Sequence, residues 1–359
     1  MAVLPESINH TTDAIYRAIA QRVRQGDSRG VGMSQAGEQC ERAIFYRLRW
    51  AAPLETITGQ KERIFETGRR EEERLLADLA AAGVQVDTVD PATGRQFTVA
   101  LANGWLRGKV DGLCLGLPEA PKTWHVVETK SHKQESFKEL LKHAPSKGEG
   151  LRRSKPDHFA QVQLYLLGLG LTRALYLAVN KNTEELYAER VEFDATFALA
   201  LEARIERIWS SDKAPPRLWD DPAARGAFAC SWCPAKAQCH DGAFARVNCR
   251  TCLSARFDAG ANVFCTLHQR ALSYDEQRVG CDQHLFLPSL VPATQIDANP
   301  DARTVTYQLA DGTTWIDGLR RTPAEADDDF GKSLNVGYDA IRSRIAAGGP
   351  KGWAEEDKK

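Results

Sequence analysis

The chain has 359 residues, 43% of them hydrophobic and 26% charged, enough for a full core with a smaller module beside it. Its 47 basic and 48 acidic residues leave a formal net charge of −1, which excludes a global electrostatic pull toward nucleic acid, so any such binding needs a local basic patch. Nine cysteines without an export-type N-terminus point to metal ligation in a reducing cytoplasm rather than to disulfides.

In chain order, residues 1–82 read as mostly helical. Apolar residues recur at helical spacing over 12–23 and over 38–50, the stretch that holds Cys40, and a charged helix over 61–82 ends at Gly83. Strands follow over 96–101 and 105–114, joined by a turn at Asn103-Gly104, and again over 124–130. Residues 133–155 form a lysine-rich helix and loop. Pro156 opens a helix running to about Gly170. The longest apolar run of the chain, 164–171, is glycine-broken and too short to cross a membrane. Strands over 173–180 and 185–193 and a helix over 195–210 complete an α/β domain around a mixed sheet. Beyond Pro292 a hairpin turns at Asp311-Gly312, and a charged tail with an acidic stretch near Asp327 closes the chain.

Two sets of residues carry chemistry. The first is Cys230-x2-Cys233-x5-Cys239 with a lone Cys40 far upstream; four thiolates suit an iron–sulfur cubane or a structural zinc. The second is Gly108-x2-Asp111-Gly112 followed by Glu128-Thr129-Lys130. Glu128 and Lys130 are two apart on one strand and share a face, where Asp111 of the neighbouring strand can meet them. Carboxylates there suit a hard divalent cation, and the lysine can hold a water. Surface ion pairs on an edge strand are the competing reading. Gln161-x3-Tyr165 places two polar groups on one face of an apolar helix, although Tyr165 also fits as a core aromatic. Gly68-x3-Glu72 sets a carboxylate one turn beyond a glycine expected to allow close helix-to-sheet approach, although Glu72 also fits a solvated acidic run.

Taken in order, these motifs, bracketed by Cys40 and by Cys230, Cys233 and Cys239, resemble the RecB-type branch of the PD-(D/E)XK nucleases. The likeness is to its iron–sulfur members, such as the RecB-like exonuclease of CRISPR adaptation modules, its phage-borne relatives and the AddB nuclease domain, and spans residues 30–242. It implies a restriction-endonuclease-like α/β core and a metal-dependent DNA exonuclease. Glu72, Asp111, Glu128 and the main-chain carbonyl of Thr129 would hold Mg²⁺ or Mn²⁺, Lys130 would position the attacking water, and Gln161 and Tyr165 would line the DNA cleft. Cys40, Cys230, Cys233 and Cys239 would hold a 4Fe–4S cluster. The chain departs from the CRISPR-associated members at Glu72, where they usually carry histidine; a carboxylate there is more like the lambda-exonuclease group.

The basic run supplies the local patch that the neutral chain lacks: Lys133, Lys138, Lys142, Arg152, Arg153 and Lys155 are expected to contact DNA phosphates, and Phe137 and Phe159 to stack on unpaired bases or to sit in the core. Further on, Cys249, Cys252, Cys265 and Cys281 are expected to hold a structural Zn²⁺, with His284 and then His268 as alternates. The expected division is a nuclease domain over 1–242, a zinc module over 243–292, and a hairpin with a charged tail over 293–359. The expected function is exonuclease action on single-stranded or end-processed DNA, alone or beside a recombination or CRISPR adaptation partner, in the cytoplasm of a bacterium or phage-infected host. The alternative is a catalytically inactive nucleic-acid-binding or assembly protein on the same fold. A redox iron–sulfur protein is disfavoured, because no Gly-x-Gly-x-x-Gly follows a strand.

Overall fold

The computed structural model describes residues 10–23 and 26–318; the acidic stretch near Asp327 and the charged tail lie outside them. The N-terminal part holds α1 (His10–Ala20), β1 (Val31–Gly32), α2 (Glu41–Leu48) and α3 (Gly59–Ala81). Then come β2 (Gln85–Asp87), β3 (Val89–Asp90), β4 (Arg95–Gln96), β5 (Thr98–Leu101), β6 (Leu106–Lys109), β7 (Gly112–Leu115) and β8 (His125–His132). After β8 the chain forms α4 (Gln134–Lys142), α5 (Leu151–Ser154) and α6 (Pro156–Leu169), followed by β9 (Arg173–Asn180), β10 (Leu186–Glu192) and α7 (Ala195–Ser210). Short helices α8 (Phe228–Ser231) and α9 (Lys236–His240) precede β11 (Ala255–Asp258), β12 (Asn262–Cys265), β13 (Arg270–Leu272) and α10 (Tyr274–Val279). The last sheet is β14 (Thr294–Asn299), β15 (Thr304–Gln308) and β16 (Thr314–Asp317).

Local chemistry sets the helix ends. Thr58 accepts the Lys61 N–H at 3.2 Å to open α3, and Asp194 accepts that of Phe197 at 3.0 Å to open α7. Proline stands in the first turn of α6, and Gly170, with φ of 66°, closes it. Cys40, expected inside a helix, is instead the extended residue that caps α2.

The central sheet has the order β10-β9-β8-β7-β2 and is mixed, with β8 and β9 parallel and the other pairs antiparallel. β8 is thus the middle strand rather than an edge. Between β8 and its parallel partner run α4, α5 and α6, the crossover that parallel pairing requires. One face, carrying Val127, Leu175, Leu177 and Val179, packs on Leu75 and Leu76 of α3. The other, carrying Val126, Ala174, Tyr176 and Ala178, belongs to the larger core that includes Val162 and Leu166 of α6.

The expected hairpin at Asn103-Gly104 is present: β5 and β6 pair antiparallel around a turn in which Asn103 has φ of 55° and Gly104 of 85°. The strand expected over 105–114, however, is broken. β6 lies in a second sheet, β1-β6-β5, whereas β7 joins the central one. Asp111 therefore sits in the bend between two sheets and not on a strand.

The cysteine-rich segment folds onto this body and is continuous with its core. Phe257 stacks on Trp105 at 4.4 Å, and the Trp105 indole donates to the Asp258 carbonyl at 2.8 Å. Among the described residues no helix is long and apolar enough to cross a membrane.

Candidate active site

The side-chain alternation of β8 puts Glu128, Lys130 and His132 on the face covered by α6. Glu128 is 0% exposed. Its Oε1 accepts from the Lys130 ammonium, while Oε2 is buried without a hydrogen-bond partner among the described residues. Burial pushes the Glu128 carboxyl up to about 7, with the nearby Asp111 charge adding to the effect and the Lys130 charge opposing it. Burial pulls Lys130 down, but the charges of Glu128, Asp111 and Glu72 outweigh it and hold the ammonium above its ordinary value.

Asp111 reaches the same place from the bend. Pairing of β7 with β8 stops at Gly112 opposite Val127, so the strand leaves the Thr129 amide for another acceptor. Asp111 Oδ2 takes that N–H at 2.8 Å and the Thr129 hydroxyl at 2.9 Å. Glu72 comes from the layer on the other side of the sheet. Its carboxyl is raised by burial and by Asp111, and Lys130 offsets part of this. Gly68, expected to allow close approach, does not: a Cβ there would meet nothing within 4 Å. The crowded glycine is Gly108, where a Cβ would collide with Met33 and come within 2.7 Å of the Tyr165 ring and hydroxyl.

Tyr165 and Gln161 are 3% and 6% exposed, so they back the site from beneath instead of lining an open cleft. Tyr165 donates to the Lys109 carbonyl at 2.6 Å and receives the Gln161 amide at 3.3 Å. Burial, then the Glu128 charge, raises its hydroxyl pKa, and Gln161 Oε1 is a second buried acceptor without a donor. The motif matches a family: the model of the PD-(D/E)XK nuclease superfamily covers residues 14–240. The chain belongs to that superfamily.

No curated protein matches the nuclease chain. Among solved structures, the alkaline exonuclease LHK-Exo from Laribacter hongkongensis is 13% identical, with a TM-score of 0.35, over 55% of this chain and 90% of that one. Its complex with dAMP gives 13%, 0.35, 54% and 89%. The protein SSO0001 is 11% identical, with a TM-score of 0.34, over 64% and 96%.

A polar chain that the sequence reading missed adjoins the nuclease motif. The Tyr176 hydroxyl, on the strand beside Glu128, lies 2.8 Å from His132 Nε2 and 2.8 Å from His158 Nδ1, and His132 Nδ1 lies 3.0 Å from the Ser136 hydroxyl. One hydroxyl has one proton, so Tyr176 donates to one imidazole and accepts the N–H of the other. Burial, then the charge of Lys155, pulls His132 down to about 4; burial, then Lys130, pulls His158 down to about 3. Both imidazoles are therefore neutral at neutral pH. The spacing Glu128-x-Lys130-x-His132 was the available signal for one of them; nothing local marks His158.

Of the basic run, Lys155 is half-buried and close enough to depress both histidines. Lys133, Lys138 and Arg153 are exposed; Lys142 pairs with Glu139 at 3.6 Å. Arg152 pairs with Asp194 and lies over the Phe159 ring at 4.6 Å. Phe137 and Phe159 are core residues, 0% and 7% exposed, which removes them as base-stacking platforms.

Cys230 and Cys233 are raised first by burial; Cys40 and Cys239 then act on both through space. Among the described residues, no three His, Cys, Asp or Glu side chains already stand at ligating distance of a common point. Neither the carboxylates nor either cysteine set is a formed centre among the described residues.

Proposed function

We propose that the chain is a metal-dependent DNA exonuclease of the RecB-like iron–sulfur type. The observation that carries this reading is Glu128: a fully buried carboxylate on the central strand, paired on one oxygen with Lys130 and orphaned on the other. An orphaned buried acceptor beside Asp111 and Glu72 fits a hard cation, and the donors are all oxygens. Glu72, Asp111, Glu128 and the Thr129 carbonyl would hold Mg²⁺ or Mn²⁺. When bound, that ion supplies charge stabilisation at the scissile phosphate. Lys130, kept charged by the carboxylates around it, orients the attacking water and faces the developing negative charge. Gln161 and Tyr165 act one step back: Tyr165 holds the Lys109 carbonyl, two residues before Asp111, and so fixes the bend.

Around this site, Lys133, Lys138, Lys142, Arg152, Arg153 and Lys155 contact DNA phosphates in our reading. Cys40, Cys230, Cys233 and Cys239 hold a 4Fe–4S cluster that ties the start of α2 to α8 and α9, a fit supported by four neighbouring soft donors. Residues 1–242 form the nuclease body, 243–292 a module with a structural Zn²⁺, and 293–359 the hairpin and tail. The substrate is single-stranded or end-processed DNA, in phage recombination, repair or CRISPR adaptation within the cytoplasm.

End-labelled single- and double-stranded DNA incubated with Mg²⁺ or Mn²⁺ tests the reading. The wild type should degrade it from the ends, and Lys130→Ala should be slower by about a hundredfold or more with DNA binding retained. If neither protein cuts while both bind equally, the chain is a non-catalytic nucleic-acid-binding protein.

A further inference from the structure

The nuclease site leaves the second cysteine cluster unused. A cavity of about 430 Å³ is lined by Cys249, Cys252, Cys265, Cys281, His268 and His284. The four sulfurs come from separate places in the chain: the 3₁₀ turn Cys249–Thr251, the residue just after it, the end of β12, and the loop after α10. All four cysteines are free of disulfides. Main-chain N–H groups point at three of them: Ser254 to Cys252 at 3.4 Å, His268 to Cys265 at 3.4 Å, and Gly280 to Cys249. Such donors stabilise a thiolate and do little for a thiol. The arrangement is therefore preset for anionic sulfur.

One of the two histidines has a partner of its own. His284 is buried, with Nε2 3.2 Å from the Thr251 hydroxyl and its ring edge-on to Phe286 at 4.7 Å. His268 gives its backbone N–H to Cys265. Cys281 lines the same cavity as the other three cysteines and so offers a fourth thiol.

The turn that carries Cys249 is also built into the nuclease body. Arg250, the next residue, is fully buried; its guanidinium lies 3.8 Å from the Trp50 ring centre and donates to the Leu48 carbonyl at 3.0 Å. Asn248, the residue before, donates to the Trp50 carbonyl at 3.1 Å, and Arg49 donates to the Arg250 carbonyl at 3.3 Å. These contacts hold the C-terminal end of α2, whose N-cap is Cys40.

We propose that Cys249, Cys252, Cys265 and Cys281 close around one Zn²⁺ as a tetrathiolate site, and that this site clamps the end of α2. This deepens the zinc-module reading and is independent of catalysis. On binding, the four thiols release four protons to solvent and the sulfurs draw in to about 2.3 Å from the ion. The full chain, purified anaerobically, is examined by metal analysis and zinc-edge X-ray absorption. The expected result is one zinc per chain surrounded by four sulfurs; a nitrogen neighbour, iron in place of zinc, or a zinc-free chain would each overturn the assignment. Cys281→Ser should lower zinc content roughly tenfold or more, while His284→Asn keeps it; the reverse pattern selects histidine and sinks the ligand set. Chelation of the zinc should speed amide exchange over residues 44–51, and unchanged exchange there would refute the clamp. Lys130→Ala should retain its zinc, so failure of the nuclease reading and failure of this one give different results.

Discussion

Replacing Gly108 by alanine adds one methyl group at the point where β6 passes under α6. The new Cβ would stand 2.7 Å from the ring and hydroxyl of Tyr165 and closer still to Met33, whereas carbon atoms rest at about 3.5–4.0 Å. Neither neighbour moves without consequence. Tyr165 is fixed by its bond to the Lys109 carbonyl at 2.6 Å, and Met33 is fully buried in the core. Overpacking of this kind costs about 1–3 kcal/mol, and losing the Tyr165 bond adds about 0.5–1.5 kcal/mol. We expect Gly108→Ala to lose about 2–4 kcal/mol in urea unfolding. The displaced tyrosine releases the bend that carries Asp111, so nuclease activity should fall further than stability explains, with DNA affinity unchanged at temperatures where the variant stays folded. Wild-type stability together with wild-type activity would refute the reasoning. It would mean that Tyr165 is not held against β6 and that Asp111 is positioned by something else.

Gly68→Ala should act in the opposite direction: it adds a methyl into open space inside α3 and should stabilise the protein by about 0.5–1 kcal/mol through helix propensity alone, and a loss of stability would reveal a neighbour. Acid should weaken the fold. His132 and His158, pulled down to about 4 and about 3, cannot take up the protons that the unfolded chain binds below about 6.5. Their contribution is complete above that pH and is lost as pH falls, by about 1.4 kcal/mol per unit for each. Glu128, raised to about 7, works the other way and offsets one of the two, so urea unfolding between pH 6.5 and 4.5 should lose about 1.4 kcal/mol per unit from this cluster. His158→Gln should flatten that slope, and an unchanged slope would contradict the burial argument. Affinity of the metal-free protein for Mn²⁺, read by titration calorimetry, should fall by up to roughly tenfold per pH unit below about 7 as a proton competes for Glu128; pH-independent binding would remove Glu128 from the ligand set.

The elements were largely legible in the sequence because caps and periodicity are local. Thr58, Pro156, Gly170 and Asp194 each act on an amide or a dihedral angle within one turn, so α3, α6 and α7 could be read within a few residues. The alternation of β8 likewise put Glu128 and Lys130 on one face before any coordinates. Where the reading failed, the deciding partner was distant. Gly68 and Gly108 look alike in a string of letters, and only the packing of Tyr165 and Met33 shows which one cannot carry a side chain. The choice left open for Phe137 and Phe159, stacking platform or core, fell to the core because α4 and α6 lie on the sheet.

The sequence by itself determined which chemistries were available: carboxylates and a lysine at strand spacing, and two sets of thiols at ligand spacing. Those follow from residue type and short-range geometry. Only the tertiary structure decided that Asp111 leaves one sheet for another and so meets the Thr129 amide, and that His132, Tyr176 and His158 join across β8, β9 and α6. Only the fold, too, buries Glu128 enough to hold its proton up to about 7. Desolvation and hydrogen bonding act over a few ångströms between segments tens of residues apart, so they come into being with the fold.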